Sequence, residues 1–260
     1  MVFEGIVTNK VAYKERDLIV RLLLRNGLAG SFYVYGGQGG GKNHKPTIYE
    51  LGSMMKVMVK EQRIQKVEGS DLMIASESQR LWNSELVRYD VQAFYLTCLY
   101  YEIINKIAMS FQQGISLYEN TENDGIFSVL SNALFHLEKS LVAKEFLAEQ
   151  HLNLFLIKLL FHLGIMPDTD HCGFCSTNLM EAPGVSFVPT AGQFNCTACA
   201  PAQNEKGFLL RIKFGYQTRY QDYQQFTGSS FHEADKLIQF FCHHFQLKTM
   251  ELKSYKLLFK

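Results

Sequence analysis

Cys172-Gly173-Phe174-Cys175 and, after twenty intervening residues, Cys196-Thr197-Ala198-Cys199 bring four thiols into two knuckle-like pairs. Two such pairs can place four sulfurs tetrahedrally around one Zn²⁺, an ion that favours thiolate ligands and needs no open position in a structural site. Pro183, Gly184, Pro189 and Gly192 make the segment between the pairs turn-rich, with little apolar core of its own. Metal ligation would supply the missing folding energy. The expectation is an inserted four-cysteine zinc-binding module, residues 171–204, carrying one structural Zn²⁺.

Three other uses of these cysteines fit less well. Paired disulfides need an oxidising compartment. Residues 1–10 carry Glu4 and lack both a basic start and a long apolar stretch, so they do not read as a secretory signal, and the expected compartment is the cytoplasm. A redox Cys-x-x-Cys centre should open a helix in a βαβ setting, and residues 178–189 do not read as one. A catalytic zinc usually keeps a water position beside three protein ligands, whereas four cysteines fill the shell. The remaining two, Cys98 and Cys242, sit in apolar helical patterns and read as core. His243 and His244 are tandem neighbours that point apart on a helix, and they read as surface or partly buried.

Upstream of the first knuckle, Leu152, Phe155, Leu156, Leu159, Leu160 and Leu163 recur at helical spacing, and Gly164 and Pro167 end the pattern. Long helical patterns extend back to Trp82, broken by a polar stretch containing Glu119-Asn120-Thr121-Glu122-Asn123-Asp124. Beyond the second knuckle, Ser230-Phe231-His232-Glu233 has capping-box spacing and opens a helix that buries Ala234, Leu237, Ile238, Phe241, Cys242 and Phe245. This helix is expected to pack back on the helical domain.

The N-terminal quarter follows a different period. Short apolar runs at residues 3–7, 18–24, 31–35 and 54–60 alternate with polar and Gly-rich breaks and read as strands. In the last run Met55, Val57 and Val59 face one side while Lys56 and Lys60 face the other. Five short strands in about 65 residues suit a small barrel, and the OB-fold and the SH3-like barrel both fit the pattern. The expected class is therefore α+β, with a barrel over residues 1–78, a helical domain from 79–170 and 205–260, and the zinc module between its two parts.

Charge is distributed unevenly along the 260 residues. A net charge of +1 conceals +6 over residues 1–66, −8 over 67–170 and +3 over 171–260. A cationic surplus on a small barrel is the footprint of a phosphate-backbone binder. Lys14, Arg16, Lys42, Lys45, Lys56, Lys60 and Arg63 are the candidate phosphate contacts, with Tyr33, Tyr35 or Tyr49 available to stack bases. No apolar run approaches the roughly 18 residues of a membrane span.

Gly36-Gly37-Gln38-Gly39-Gly40-Gly41-Lys42-Asn43 nearly spells a P-loop after an apparent strand. Asn43 lacks the hydroxyl that ligates Mg²⁺, and His44-Lys45-Pro46-Thr47 does not start a convincing helix on which phosphate could rest. The loop suits a different task, wrapping cations around a nucleic-acid backbone. With no carboxylate cluster for a catalytic metal either, no enzymatic activity is expected.

The opening Gly5-Ile6-Val7, the run Tyr13-Lys14-Glu15-Arg16-Asp17-Leu18-Ile19-Val20, the Gly27-Leu28-Ala29-Gly30 turn and the Lys/Gly loop resemble the RecO family of bacterial recombination mediators. So do Leu163-Gly164-Ile165-Met166-Pro167-Asp168 running into the knuckles, and the closing Leu247-Lys248 and Leu252-Lys253-Ser254. The resemblance implies an N-terminal OB domain, a helical domain and an inserted zinc module. It also implies binding of single- and double-stranded DNA, annealing of complementary strands in RecF-type repair, and cooperation with RecR and the single-strand binding protein to load RecA at gaps, in a cytoplasmic, nucleoid-associated protein. Family members often carry a denser basic run where this chain has Gly36 through Lys42. The competing class is a zinc-ribbon adaptor that makes no direct DNA contact.

Overall fold

A computed structural model of the chain describes residues 1–38, 48–67, 70–111, 125–200 and 204–259. The chain divides into two compact units, Met1–Glu138 and Lys139–Lys260.

In the first unit, β1 (Val2–Tyr13), β2 (Asp17–Leu24), β3 (Ala29–Val34), β4 (Met54–Val67) and β5 (Ser70–Trp82) close a barrel in the order β1-β2-β3-β5-β4. Every pairing is antiparallel except β3 with β5. This is the OB arrangement, so the SH3-like alternative is set aside. Period-two alternation sends Leu18, Val20, Leu22, Leu24, Phe32, Val34, Met55, Val57 and Val59 into one core, as the apolar runs predict. The strands continue to Trp82, beyond the expected 65 residues, because β4 and β5 run on as a long pair through the polar residues 60–67.

A shift of register between Val7 and Asn9 marks a bulge at buried Thr8. Bulges leave a residue unpaired in the ladder, and Asn105 of α1 (Val91–Phe111) supplies its partners. The Asn105 amide donates to the Thr8 carbonyl at 3.0 Å, and its Oδ1 accepts from the Thr8 hydroxyl at 2.8 Å. Asp90 begins α1 by accepting from the Ala93 N–H at 2.8 Å, which satisfies one of the donors a helix start leaves open. Glu138, on α2 (Gly125–Ala143), accepts from the Ser84 hydroxyl and from the Glu85 and Leu86 N–H groups, pinning the chain that leaves the barrel.

The second unit is built on α3 (Ala148–His162). Its predicted stripe is buried except for half-buried Leu163, but so are Gln150, His151 and Asn153 on other sides, so the helix is enclosed through its first three turns and reaches solvent only at its end, where Phe161 and His162 are exposed. Gly164, at φ 70°, ends it: the Gly164 and Ile165 N–H groups return to the Phe161 and Leu160 carbonyls, a Schellman closure. Next come a hairpin of β6 (Val185–Val188) and β7 (Gln193–Cys196), then α4 (Lys206–Gly215), α5 (Phe231–His244) and the short α6 (Tyr255–Leu258). The Ser230 hydroxyl caps α5 by accepting from Glu233 N–H, and the Asn153 amide donates to the Ser230 carbonyl, so α5 packs on α3 as expected.

Candidate metal centre and nucleic-acid interface

Among the described residues, the one cluster placed to hold a metal ion is Cys172, Cys175, Cys196 and Cys199, whose Sγ atoms all lie within 4.8 Å of one another. The Cys175 and Cys196 sulfurs are 3.6 Å apart. A disulfide needs about 2.05 Å, whereas sulfurs set tetrahedrally at about 2.3 Å from zinc stand roughly 3.8 Å apart. The backbone shapes both knuckles: Ser176 N–H returns to the Cys172 carbonyl, and Cys199 and Ala200 N–H return to that of Cys196. Ser176, at φ 59°, makes the sharp reversal after the first pair.

The donor set has the chemistry of a cation site. Burial opposes ionisation of Cys172, but N–H donors from Cys175, Cys196 and Phe174 outweigh it and hold this thiol down at about 6. The Cys196 N–H lies 3.3 Å from its sulfur. Cys175 is also lowered, first by the Thr177 hydroxyl, 3.1 Å away. Cys199 is pushed the other way, to about 12, chiefly by its hydrogen bond with Cys175. Crowded sulfurs resist ionising together unless a cation lies among them. A bound dication would remove that conflict, so the four residues fit a metal.

The cluster rests on an aromatic layer drawn from distant segments. Phe194, two residues before Cys196, is enclosed by Phe187 and Phe208 with ring centroids at 4.9 and 5.9 Å, and Phe240 meets Phe187 edge-on. Gly192 makes the β6–β7 turn at φ 63°, where a side chain would strike the Phe240 ring. Glu205 accepts from the Phe187 N–H at 2.8 Å and pairs with Lys236 of α5. Sequence reasoning misses these residues, because no local pattern links phenylalanines as far apart as Phe187 and Phe240.

On the barrel, Tyr13 faces Asp17 across β1–β2, and Ile19 faces Tyr33 across β2–β3, on the side away from the core. The Lys14-Glu15-Arg16 turn between β1 and β2 is exposed. Gln38 ties this turn to the chain that leaves β3, since its N–H donates to the Arg16 carbonyl at 2.9 Å and its side chain donates to the Lys14 and Asp17 carbonyls.

The family model described as "Recombination protein O C terminal" matches residues 115–254, more than half of the chain and all four clustered cysteines. The chain belongs to the recombination protein O family. A curated relative, the DNA repair protein RecO of Thermodesulfovibrio yellowstonii, is 28% identical over 219 residues, covering 80% of this chain and 74% of the relative. The family places this chain in DNA repair and recombination.

In this RecO-family chain, the seven predicted cations fall in three groups. Lys14 and Arg16 are exposed on the β1–β2 turn, and Lys56 is half-buried on β4 opposite Glu4. Lys60 and Arg63 stand further along β4. Lys42 and Lys45 lie outside the described residues, as does most of the P-loop-like run. Of the tyrosines, Tyr35 is exposed, Tyr33 is buried with its hydroxyl on Asp17, and Tyr49 is a core residue bonded to Ser78 and unable to stack a base. Cys242 is buried and His243 and His244 are exposed, as read from the sequence. Half-buried Cys98 lines a cavity of about 340 Å³ with Lys10, Glu50, Arg88, Phe94 and Tyr101. No helix among the described residues is long and apolar enough to cross a membrane.

Proposed function

We propose that the protein binds single- and double-stranded DNA through its OB barrel and anneals complementary strands without consuming a nucleotide, as a mediator in RecF-type repair. The observation that carries this reading is the cationic turn, with Lys14 and Arg16 exposed and tied through Gln38 to the chain that leaves β3. The first inter-strand loop and the face of strands 2 and 3 are where OB-folds take oligonucleotides. Phosphate contacts from these cations, and from Lys56, Lys60 and Arg63, release condensed counterions. The repulsion between two polyanions then falls with no chemical step.

The metal in the cysteine cluster is one structural Zn²⁺, a reading supported by the four-thiol donor set and the sulfur spacing. It holds the module of residues 171–204 in its fold, with 79–170 and 205–260 as the helical domain, while residues 1–78 carry the DNA contacts. Family membership supports cooperation with RecR and the single-strand binding protein in the cytoplasm, with RecA loaded indirectly at gaps. The test is the double variant Lys14→Gln/Arg16→Gln. Its dependence of log K on log salt for single strands should be shallower by about 1.4, at about 0.7 per lost contact, and its annealing slower. An unchanged slope with full annealing refutes the placement, and wild-type protein that binds no DNA supports the adaptor reading instead.

A further inference from the structure

We propose that Tyr13 and Tyr35 form a stacking subsite for unpaired bases, so that the outer face of β1–β3 distinguishes single-stranded nucleic acid from duplex. The proposal rests on the DNA-binding reading and adds to it the residues and the strand class.

Strand alternation commits Leu18, Val20, Phe32 and Val34 to the core, which leaves Tyr13, Ile19 and Tyr33 on the opposite face. There the rings of Tyr13 and Tyr35 each meet Tyr33 edge-on, at 5.6 and 4.7 Å between centroids. The middle ring is 6% exposed, whereas Tyr13 is 41% and Tyr35 54% exposed. Two large rings are thus presented to solvent on a buried aromatic pillar.

The pillar is fixed before any ligand arrives. The Tyr33 hydroxyl donates to one oxygen of Asp17, the Gly36 N–H donates to the other at 2.8 Å, and Gln38 donates to the Asp17 carbonyl at 2.7 Å. A platform ordered in advance loses little entropy on binding. Asp17 is here a positioning residue.

Charge decides what covers the rings. The Lys14 ammonium sits 5.4 Å from the Tyr13 ring centroid, held there on a turn residue at φ 53°, and exposed Arg16 follows. Protein interface cores are depleted in lysine, whereas rings interleaved with cations match a strand that offers a base face and a phosphate at each step. In a duplex the base faces are already stacked on one another, so only the cations engage it.

The experiment compares full-length protein on three fluorescent probes: a thymine oligonucleotide, an abasic oligonucleotide of equal length and charge, and a duplex. Wild-type protein should prefer the thymine strand over the abasic strand by about ten-fold, the range expected for one or two stacked bases. Tyr13→Ala/Tyr35→Ala should abolish that preference while leaving duplex and abasic binding within about two-fold, and Tyr13→Phe/Tyr35→Phe should restore it. Equal wild-type affinity for thymine and abasic strands overturns the subsite, with salt-dependent DNA binding left standing. Wild-type protein that binds none of the probes overturns the DNA-binding reading and the subsite with it. If the alanine pair instead disrupts a self-associated form seen by sedimentation and leaves strand preference intact, the rings are a protein contact and the proposal fails.

Discussion

Replacing Phe194 with Ala should loosen the metal centre together with the aromatic layer beneath it. The ring is fully buried and packs between Phe187 and Phe208, and its residue stands two positions before Cys196 on β7. Removing a buried phenylalanine costs about 3–5 kcal/mol, depending on how far the site collapses. The backbone bond from Gly173 N–H to the Phe194 carbonyl, 2.9 Å, does not depend on the side chain, so the loss falls on packing alone. If a hairpin that has come away from the layer holds no metal, the same energy appears in metal affinity. At ~1.4 kcal/mol per factor of ten, zinc binding should weaken by roughly two to four powers of ten. The assay is competition against a chromophoric chelator, paired with thermal unfolding with and without chelator. Phe194→Leu, which keeps most of the volume, should recover most of both. Wild-type zinc affinity in a protein that has lost the expected stability would refute the coupling of cluster and layer.

Glu205→Gln should destabilise the second unit by about 3 kcal/mol, because it leaves Lys236, only 16% exposed, without its counter-charge. In chemical denaturation, adding Lys236→Met should recover most of the loss, and strictly additive effects would count against the pair. The Asp17 carboxyl is held below its ordinary value of 3.8, first by the Tyr33 hydroxyl and then by the Gly36 N–H. A depressed carboxyl stabilises the fold fully above the ordinary value, and that contribution disappears as pH falls through the lower folded one. The melting temperatures of wild type and Asp17→Asn should therefore differ near neutrality and converge in acid. A constant difference at all pH values would show that Asp17 contributes nothing through its charge.

The barrel and the metal centre were legible in the sequence for the same reason: both depend on short-range spacing. Alternation through Met55, Val57 and Val59 marks the inner face of β4, and two Cys-x-x-Cys pairs mark the ligands without reference to the rest of the chain. The enclosure of α3 was not legible, because burial of Gln150, His151 and Asn153 runs against hydropathy. Contacts from distant segments hold two of them: the Asn153 amide donates to the Ser230 carbonyl, and the His151 ring stacks on Phe146 and Tyr223. Tyrosine is ambiguous for a related reason, since an apolar ring with a polar tip suits both core and surface. Tyr49 lies in the barrel core, where Ser78 of β5 accepts from its hydroxyl. Tyr13 was not legible as a platform, because it ends its strand beside a charged turn and meets Tyr33 only in the folded barrel. The aromatic layer under the cysteines joins β6, β7, α4 and α5, and only the folded chain brings those segments together.

The most direct test of the account is fluorescence-monitored binding and annealing of complementary oligonucleotides across a salt series, without nucleotide, using full-length protein of known zinc content. Four to six phosphate contacts predict that log K for a single strand falls against log salt with a slope of roughly −3 to −4, with annealing faster than for the strands alone. A slope near zero, or annealing no faster than without protein, would contradict it.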